Sequence, residues 1–344
     1  MRARRLILAA LALGAAAACG RDARTPVLLY SPHGRDLLTL VEKTYERAHP
    51  DVDVRWLDMG SQEVYDRLRA EKANPQADVW YGGPAEIFAR GAADGLLAPY
   101  RPSWAGALPP ESRHERDLSF GIYRTPAMIV YNSAAVPVQD APREWDDMLL
   151  PRWKGKVLIR EPLASGTMRA IFGMVLARSV AETGSPERGF DWLRRLDAQT
   201  KEYVVNGTLL MEKIARREGL ITLWDLPDVL LEVAAGAPLA YVFPPSGSPV
   251  IDDAVALVRG ARHPEAAKAL IEWLGSVEAQ RLAAQTAYRL PARTDLPDAE
   301  LPEWARGVLR DLVPARVDWK LAREMGPKWM FLWDREIRGK GSPR

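Results

Sequence analysis

Val27-Leu28-Leu29-Tyr30, running into Ser31-Pro32-His33-Gly34, reads as a buried strand that ends in a turn. Directly behind it, residues 35–49 carry Leu37, Leu40, Val41, Tyr45 and Ala48 at helical spacing. Residues 52–57 then alternate, with Val52, Val54 and Trp56 to one side, and read as a second strand. Ser61-Gln62-Glu63 opens a second helix carrying Val64 and Leu68, and Asp78-Val79-Trp80-Tyr81 is a third strand stopped by Gly82-Gly83-Pro84. Strands alternating with helices in this way imply a mostly parallel sheet covered by helices on both faces.

The pattern continues outward from that unit. Residues 127–132 and 156–159 read as strands, and Ser165-Gly166-Thr167 leads into a helical run at 168–178. A helix near 191–196 and strands at 221–224 and 239–243 complete a second α/β unit. Residues 254–258 form a further strand, and His263-Pro264-Glu265 starts a helix with proline at its first position, where no N–H is needed. Two more helices are expected in the tail, residues 301–338, whose tryptophans Trp304, Trp319, Trp329 and Trp333 are read as packing residues.

The amino terminus is of a different kind. Arg2, Arg4 and Arg5 precede an apolar run of 13 residues, 6–18, and then Cys19. A basic start, a short apolar segment and a small-residue exit make an export signal. A bilayer-spanning helix needs about 20 residues, so this segment targets the chain and does not span. Cys19 after Ala16-Ala17-Ala18 resembles a lipobox with alanine where leucine is usual, and acylation of its thiol would anchor the protein to a membrane. Plain signal cleavage beside a chance cysteine is the other reading. As Cys19 is the only cysteine, an intramolecular disulfide, a thiolate metal cluster and a CxxC redox site are excluded. Removing three arginines from 47 basic residues leaves 44 against 45 acidic ones, a balance that gives no reason to bind nucleic acid. About 325 remaining residues suit two cores better than one.

Taken in order, Tyr30-Ser31-Pro32-His33-Gly34, Ala77-Asp78-Val79-Trp80-Tyr81-Gly82-Gly83, the stretch 125–132, the stretch 161–167 and Tyr288-Arg289-Leu290-Pro291 resemble the bacterial extracellular solute-binding proteins of ABC importers. Ferric-iron, phosphonate and sugar-phosphate binders are among those relatives, and the resemblance covers about residues 27–293. It implies the type 2 periplasmic binding fold: two doubly wound α/β lobes joined by two crossover segments, here with a C-terminal helical extension. The implied division is a signal peptide at 1–18, a lipidated tether at 19–26, one lobe from 27–125 plus 250–344, and a second from 126–249. Thr125-Pro126 and residues 244–249 would be the crossovers, with Ser246-Gly247-Ser248 as hinge. A small solute would bind between the lobes, which close on it, and a membrane permease would receive it. The resemblance further implies an exported, periplasmic or cell-surface monomer without a cofactor, although a receptor could take the place of the permease.

Ligands of doubly wound sheets lie beyond the carboxyl ends of the strands, which selects the candidate residues. Ser165, Gly166 and Thr167 stand between a strand and a helix, where orphan N–H groups attract a phosphate, phosphonate or carboxylate; an ordinary helix cap is the alternative. Arg160 would add positive charge there or pair with a surface acid. Ser31 and His33 end the first strand, with His33 either hydrogen-bonding an anion, ligating a metal or packing structurally. Gly82 and Gly83 let the backbone approach a ligand or simply turn. Trp224 and Asp225 close a second-lobe strand and suit an organic ligand, by ring stacking and by accepting from hydroxyl or ammonium groups; core packing and turn capping are the alternatives. Asn206 and Tyr241 are weaker candidates. Iron-binding relatives carry adjacent tyrosines near the Trp224 position, and this chain has no Tyr-Tyr pair. The preferred solute is therefore a small oxyanion-bearing molecule such as a phosphorylated sugar or phosphonate, with ferric iron plus a synergistic anion as the alternative. GxSxG, HExxH and P-loop lysine patterns are missing, so no catalytic role is expected.

Overall fold

A computed structural model describes residues 24–340, so the export segment and Cys19 lie outside the described residues. β1 (Thr25–Ser31), α1 (Gly34–Ala48), β2 (Val52–Asp58), α2 (Ser61–Ala70), β3 (Val79–Pro84) and α3 (Ala85–Ala93) follow the alternation read from the sequence. A short β4 (Leu97–Ala98) precedes the 13-residue β5 (Phe120–Asn132). β6 (Val157–Arg160), α4 (Gly166–Thr183), α5 (Glu187–Gln199), β7 (Thr200–Val204), α6 (Gly207–Ala215), β8 (Ile221–Asp225), α7 (Leu226–Ala234) and β9 (Leu239–Val242) come next. The chain returns through β10 (Val250–Val258), α8 (Pro264–Leu274), α9 (Val277–Thr286) and β11 (Leu290–Pro291), and ends in α10 (Glu303–Asp311) and α11 (Trp319–Glu336).

The strands run β2-β1-β3-β10-β5 on one side and β5-β8-β6-β7 on the other. β1 is parallel to β2 and β3, and β10 is antiparallel to β3 and β5. β5 serves both sheets: residues 120–126 pair with β10, and residues 127–132 pair with β8 and β9. At the changeover Pro126 faces Val250, and the Ala127 N–H donates to the Pro249 carbonyl at 2.9 Å, so two connections run side by side between the sheets.

Each sheet face buries its own apolar set. Val27, Leu29, Val79 and Tyr81 pack under α1 and α8 through Leu37, Val41, Leu270 and Ile271, while Tyr30 and Trp80 face α2 and α3 through Val64, Leu68 and Phe88. Successive residues of β1 and β3 thus serve opposite faces, which is why these strands are continuously apolar. The second sheet packs Met128, Val130, Leu158 and Leu223 against α4, α5 and α6.

The tail differs from the sequence reading. Residues 250–344 were expected with the first lobe, yet α10 and α11 share the core of the second sheet through Ala305, Val308, Trp329 and Trp333. Trp333 meets Phe172 of α4 and Tyr203 of β7 edge-on, each at 5.5 Å. Gly173 of α4 faces Ala322 of α11, where an added Cβ would lie at an ordinary contact distance of 3.6 Å. The tail also grips the expected hinge, since the Ser248 N–H donates to Val313 and the Ala315 N–H to Ser248.

Candidate ligand-binding cleft

A cavity of about 570 Å³ opens between the two sheets, at the carboxyl ends of their strands. Six helices begin at its walls. α1, α2 and α3 start after His33, Gly60 and Pro84 on the first side; α4, α6 and α7 start after Ser165, Asn206 and Asp225 on the second. The first turn of each helix has N–H groups without intrahelical partners and carries partial positive charge. Their convergence explains how acidic side chains are tolerated here.

Of the residues singled out in the sequence, His33, Gly83, Arg160, Ser165, Gly166, Thr167, Asn206, Trp224 and Asp225 line this cavity together. Ser31, Gly82 and Tyr241 do not. The buried Ser31 hydroxyl accepts from the His33 N–H at 3.2 Å and so shapes the turn. Gly82, at φ +90°, supports the histidine ring, because a Cβ there would lie 2.4 Å from it. Tyr241 sits on β9 opposite Val130, with its ring on Phe243.

Both readings of Ser165-Gly166-Thr167 apply, to different atoms. The Ser165 hydroxyl caps its own helix, accepting from the Met168 N–H at 3.2 Å, and the Thr167 hydroxyl donates to Asp225 at 3.2 Å. The N–H groups at the start of α4 are left for a ligand. Asn206 caps α6 through the Leu209 N–H at 2.8 Å. Trp224 is held rather than loose. Its indole N–H donates to Asp228 at 2.9 Å, and its ring fills the space a Cβ on Gly207 would take, 2.6 Å away.

Sequence reasoning missed several lining residues: Gly60, Ser61, Thr125, Gly207, Asp228, Asp253 and Arg289. Asp253 is buried in the apolar β10, and a carboxylate inside such a strand was the available signal. It accepts from the Thr125 hydroxyl at 2.5 Å and from the Gly83 N–H at 3.1 Å, and lies 3.6 Å from the His33 ring. Burial works against its charge, but the neighbouring His33 ring, Thr125 and Arg289 outweigh it and hold the carboxyl below its usual range. His33 is shifted down by burial and by Arg289, giving a neutral imidazole. Tyr81 and Tyr123 close the floor beneath it, their hydroxyls 2.8 Å apart.

Arg289 is the buried cation of the first wall. It donates to the His33 carbonyl at 3.2 Å and faces Asp228 of the second wall at 3.9 Å. Burial raises the Asp225 carboxyl well above its usual range, and Asp228 adds to the shift more than Arg289 removes. A folded-state value above the unfolded one means that Asp225 favours folding below about pH 4 and that this contribution is lost as pH rises through the folded value. Asp225→Asn, which keeps a good helix cap, is therefore expected to stabilise the ligand-free protein, with a margin that widens between pH 4 and pH 8 in urea unfolding. An asparagine variant less stable than wild type at pH 8 would contradict the assignment.

The walls come close at Gly166 and at Gly60. A Cβ on Gly166 would meet Pro84 at 2.6 Å and the Ser61 hydroxyl at 2.9 Å, and one on Gly60 would meet the Ala164 carbonyl at 2.6 Å. Among the described residues, no group of three or more histidine, cysteine or carboxylate side chains is arranged to hold a metal ion. No described helix is long and apolar enough to cross a membrane.

Residues 41–310 match the family model described as bacterial extracellular solute-binding protein. A probable ABC transporter periplasmic-binding protein from Sinorhizobium fredii is 27% identical over 316 residues, covering 90% of this chain and 86% of that one. A putative 2-aminoethylphosphonate-binding periplasmic protein from Salmonella typhimurium is 29% identical over 266 residues, 71% of each chain. Among solved structures, the periplasmic binding protein AfuA from Actinobacillus pleuropneumoniae, with exogenous fructose-6-phosphate bound, superposes with a TM-score of 0.80 at 25% identity, covering 91% of this chain and 98% of that one. These likenesses support the two-lobed periplasmic binding fold expected from the sequence.

Proposed function

The chain belongs to the bacterial extracellular solute-binding proteins, and on that premise we propose that it captures a small oxyanion-bearing organic solute, a phosphonate or phosphate ester, for an ABC importer. The observation that carries this reading is the meeting of helix amino termini from both walls, at Gly34, Ser61, Gly166 and Gly207, around one cavity that also holds Arg289. Such termini are ready-made seats for oxyanions. The lobes, taken as residues 27–125 with the returning strand and residues 126–249, close by bending where β5 passes beside the second connection. Closure brings Pro84 and Ser61 against Gly166, burying the solute without a chemical step.

Ferric iron is not favoured, because the chain lacks the adjacent tyrosines of the iron-binding relatives. Trp224 lies in the cleft wall, so its fluorescence reports occupancy. Titration with phosphonates and phosphate esters is expected to change that signal with one-to-one saturation. A response to Fe³⁺ plus an anion, with none to the phosphorus compounds, would sink the assignment.

Export and anchoring through Cys19 belong to the same proposal. Cys19→Ala is expected to shift the protein from the membrane to the soluble fraction and to remove the acyl mass from its amino terminus. Equal fractionation of variant and wild type would leave the anchor without support. The membrane permease is the partner that the family membership supplies.

A further inference from the structure

Tyr288 stands in the left-handed region at φ +51°, immediately before Arg289, the buried cation of the cleft. The position follows α9 and its Ala287 cap, where a left-handed residue is usually glycine and sometimes asparagine. A bulky side chain there is strained unless its surroundings hold it. Two N–H groups end the helix on one oxygen: those of Ala287 and Arg289 donate to the Ala283 carbonyl at 2.9 and 3.2 Å. The Ala284 carbonyl, in the last turn, where intrahelical donors run out, accepts from the Trp304 indole N–H at 3.0 Å. The Trp304 ring meets that of Tyr288 edge-on at 5.5 Å. Arg281 of α9 also pairs with Glu300, just ahead of α10.

We propose that Trp304 is a positioning residue for the cleft: it holds Tyr288 left-handed and thereby sets where Arg289 stands. The cap and the ring contact act on the same turn, from outside the cavity. α9 shares the core of the first sheet through Ala283, with Ala287 beside it, whereas α10 shares that of the second through Ala305 and Val308. Trp304 thus ties the turn that presents Arg289 to the body of the opposite wall, and a rotation of one sheet against the other is felt at Arg289. The guanidinium depends on that turn. Its side chain is only 4% exposed, donates to the His33 carbonyl at 3.2 Å and has no hydrogen-bond partner at Nε, so the backbone behind it fixes its place. From there it faces Asp228 at 3.9 Å and lowers the carboxyls of Asp225 and Asp253. The role does not depend on which solute the cleft takes.

The test is urea unfolding of the mature full chain, without solute, at pH 5 and pH 8. Displacing Arg289 raises the folded-state values of Asp225 and Asp253, and also that of His33, whose charge Arg289 opposes; Tyr81 and Tyr123 titrate above this range. A raised folded value leaves stability intact at low pH and removes it as pH rises. Trp304→Ala is therefore expected to raise the unfolding constant, relative to wild type, at least about tenfold more at pH 8 than at pH 5. Adding Tyr288→Gly, which keeps a left-handed turn without help, is expected to bring that pH difference back to within about threefold. In an Arg289→Ala background the Trp304→Ala difference between the two pH values should vanish. Trp304→Phe keeps a ring on Tyr288 and loses only the cap; it should show the same sign at smaller size, and it serves if the alanine variant does not fold. An equal deficit at both pH values would overturn the proposal and make Trp304 a packing residue alone. A pH-dependent deficit that survives Tyr288→Gly would overturn it as well, because Trp304 would then reach the cleft by another route.

Discussion

Gly166→Ala is expected to weaken solute binding by at least a hundredfold, about 2.8 kcal/mol, without destabilising the ligand-free protein. The added Cβ would lie 2.6 and 2.7 Å from the Pro84 ring and 2.9 Å from the Ser61 hydroxyl, all on the opposite wall. Pro84 cannot move aside readily, because it follows Gly83 at φ +101° and caps α3. The new methyl group therefore pushes the walls apart rather than deforming one of them. Within its own wall the substitution is benign, since alanine is a better helix former than glycine. Scattering profiles of the variant should keep the same radius of gyration with and without solute, whereas wild type contracts. Gly60→Ala meets the Ala164 carbonyl at 2.6 Å from the other side and should reproduce the loss. Affinity within threefold of wild type would show that the walls need not meet at Gly166.

The second large effect is expected at Arg289. Its removal leaves Asp253 and Asp225 buried without the cation that offsets them. Breaking a buried ion pair from one side typically costs about 3–5 kcal/mol; Asp228 is a third exposed, so water screens its share. Arg289→Ala should lose that stability and bind no solute measurably. The sign of its pH dependence is fixed by the same groups. Without Arg289 the folded-state values of Asp225 and Asp253 rise. A raised folded value leaves stability intact at low pH and erodes it as pH increases. The deficit against wild type should thus be larger at pH 8 than at pH 5 in urea unfolding. A deficit equal at both pH values would mean that Arg289 acts through packing alone.

Much of the first sheet was legible because its signals are local. Val27-Leu28-Leu29-Tyr30 ending at Pro32 and Gly34, and Val79-Trp80-Tyr81 ending at Gly82-Gly83, declare strands and turns within a few residues. The helices α6 and α7 were not legible. Each has nine residues and begins directly at a strand end, so Asn206-Gly207 and Asp225-Leu226-Pro227 look like loops although they are cap and first turn. The tail shows a different limit. Trp329 and Trp333 mark a packing face, but a periodic pattern does not say which sheet it meets; the edge-on contacts of Trp333 with Phe172 and Tyr203 show it, far away in sequence.

The cleft was half legible for a related reason. Ser165 announces itself through cap chemistry before a visible helical run, whereas Asn206 and Asp225 are seen as caps only once α6 and α7 are in place. Asp253 and Arg289 act from strands and loops far away in sequence, and their roles appear only when β10 is laid beside β3 and β5. Gly82 illustrates the converse. Its sequence context points to a close approach by a ligand, and the close approach is real, but the neighbour is the His33 ring.

Native mass spectrometry of the protein purified without denaturation is the most direct test of capture in the cleft. The account predicts one small phosphorus-containing organic molecule per chain, released intact on unfolding and absent from Gly166→Ala. One iron atom per chain with no organic phosphorus would contradict it.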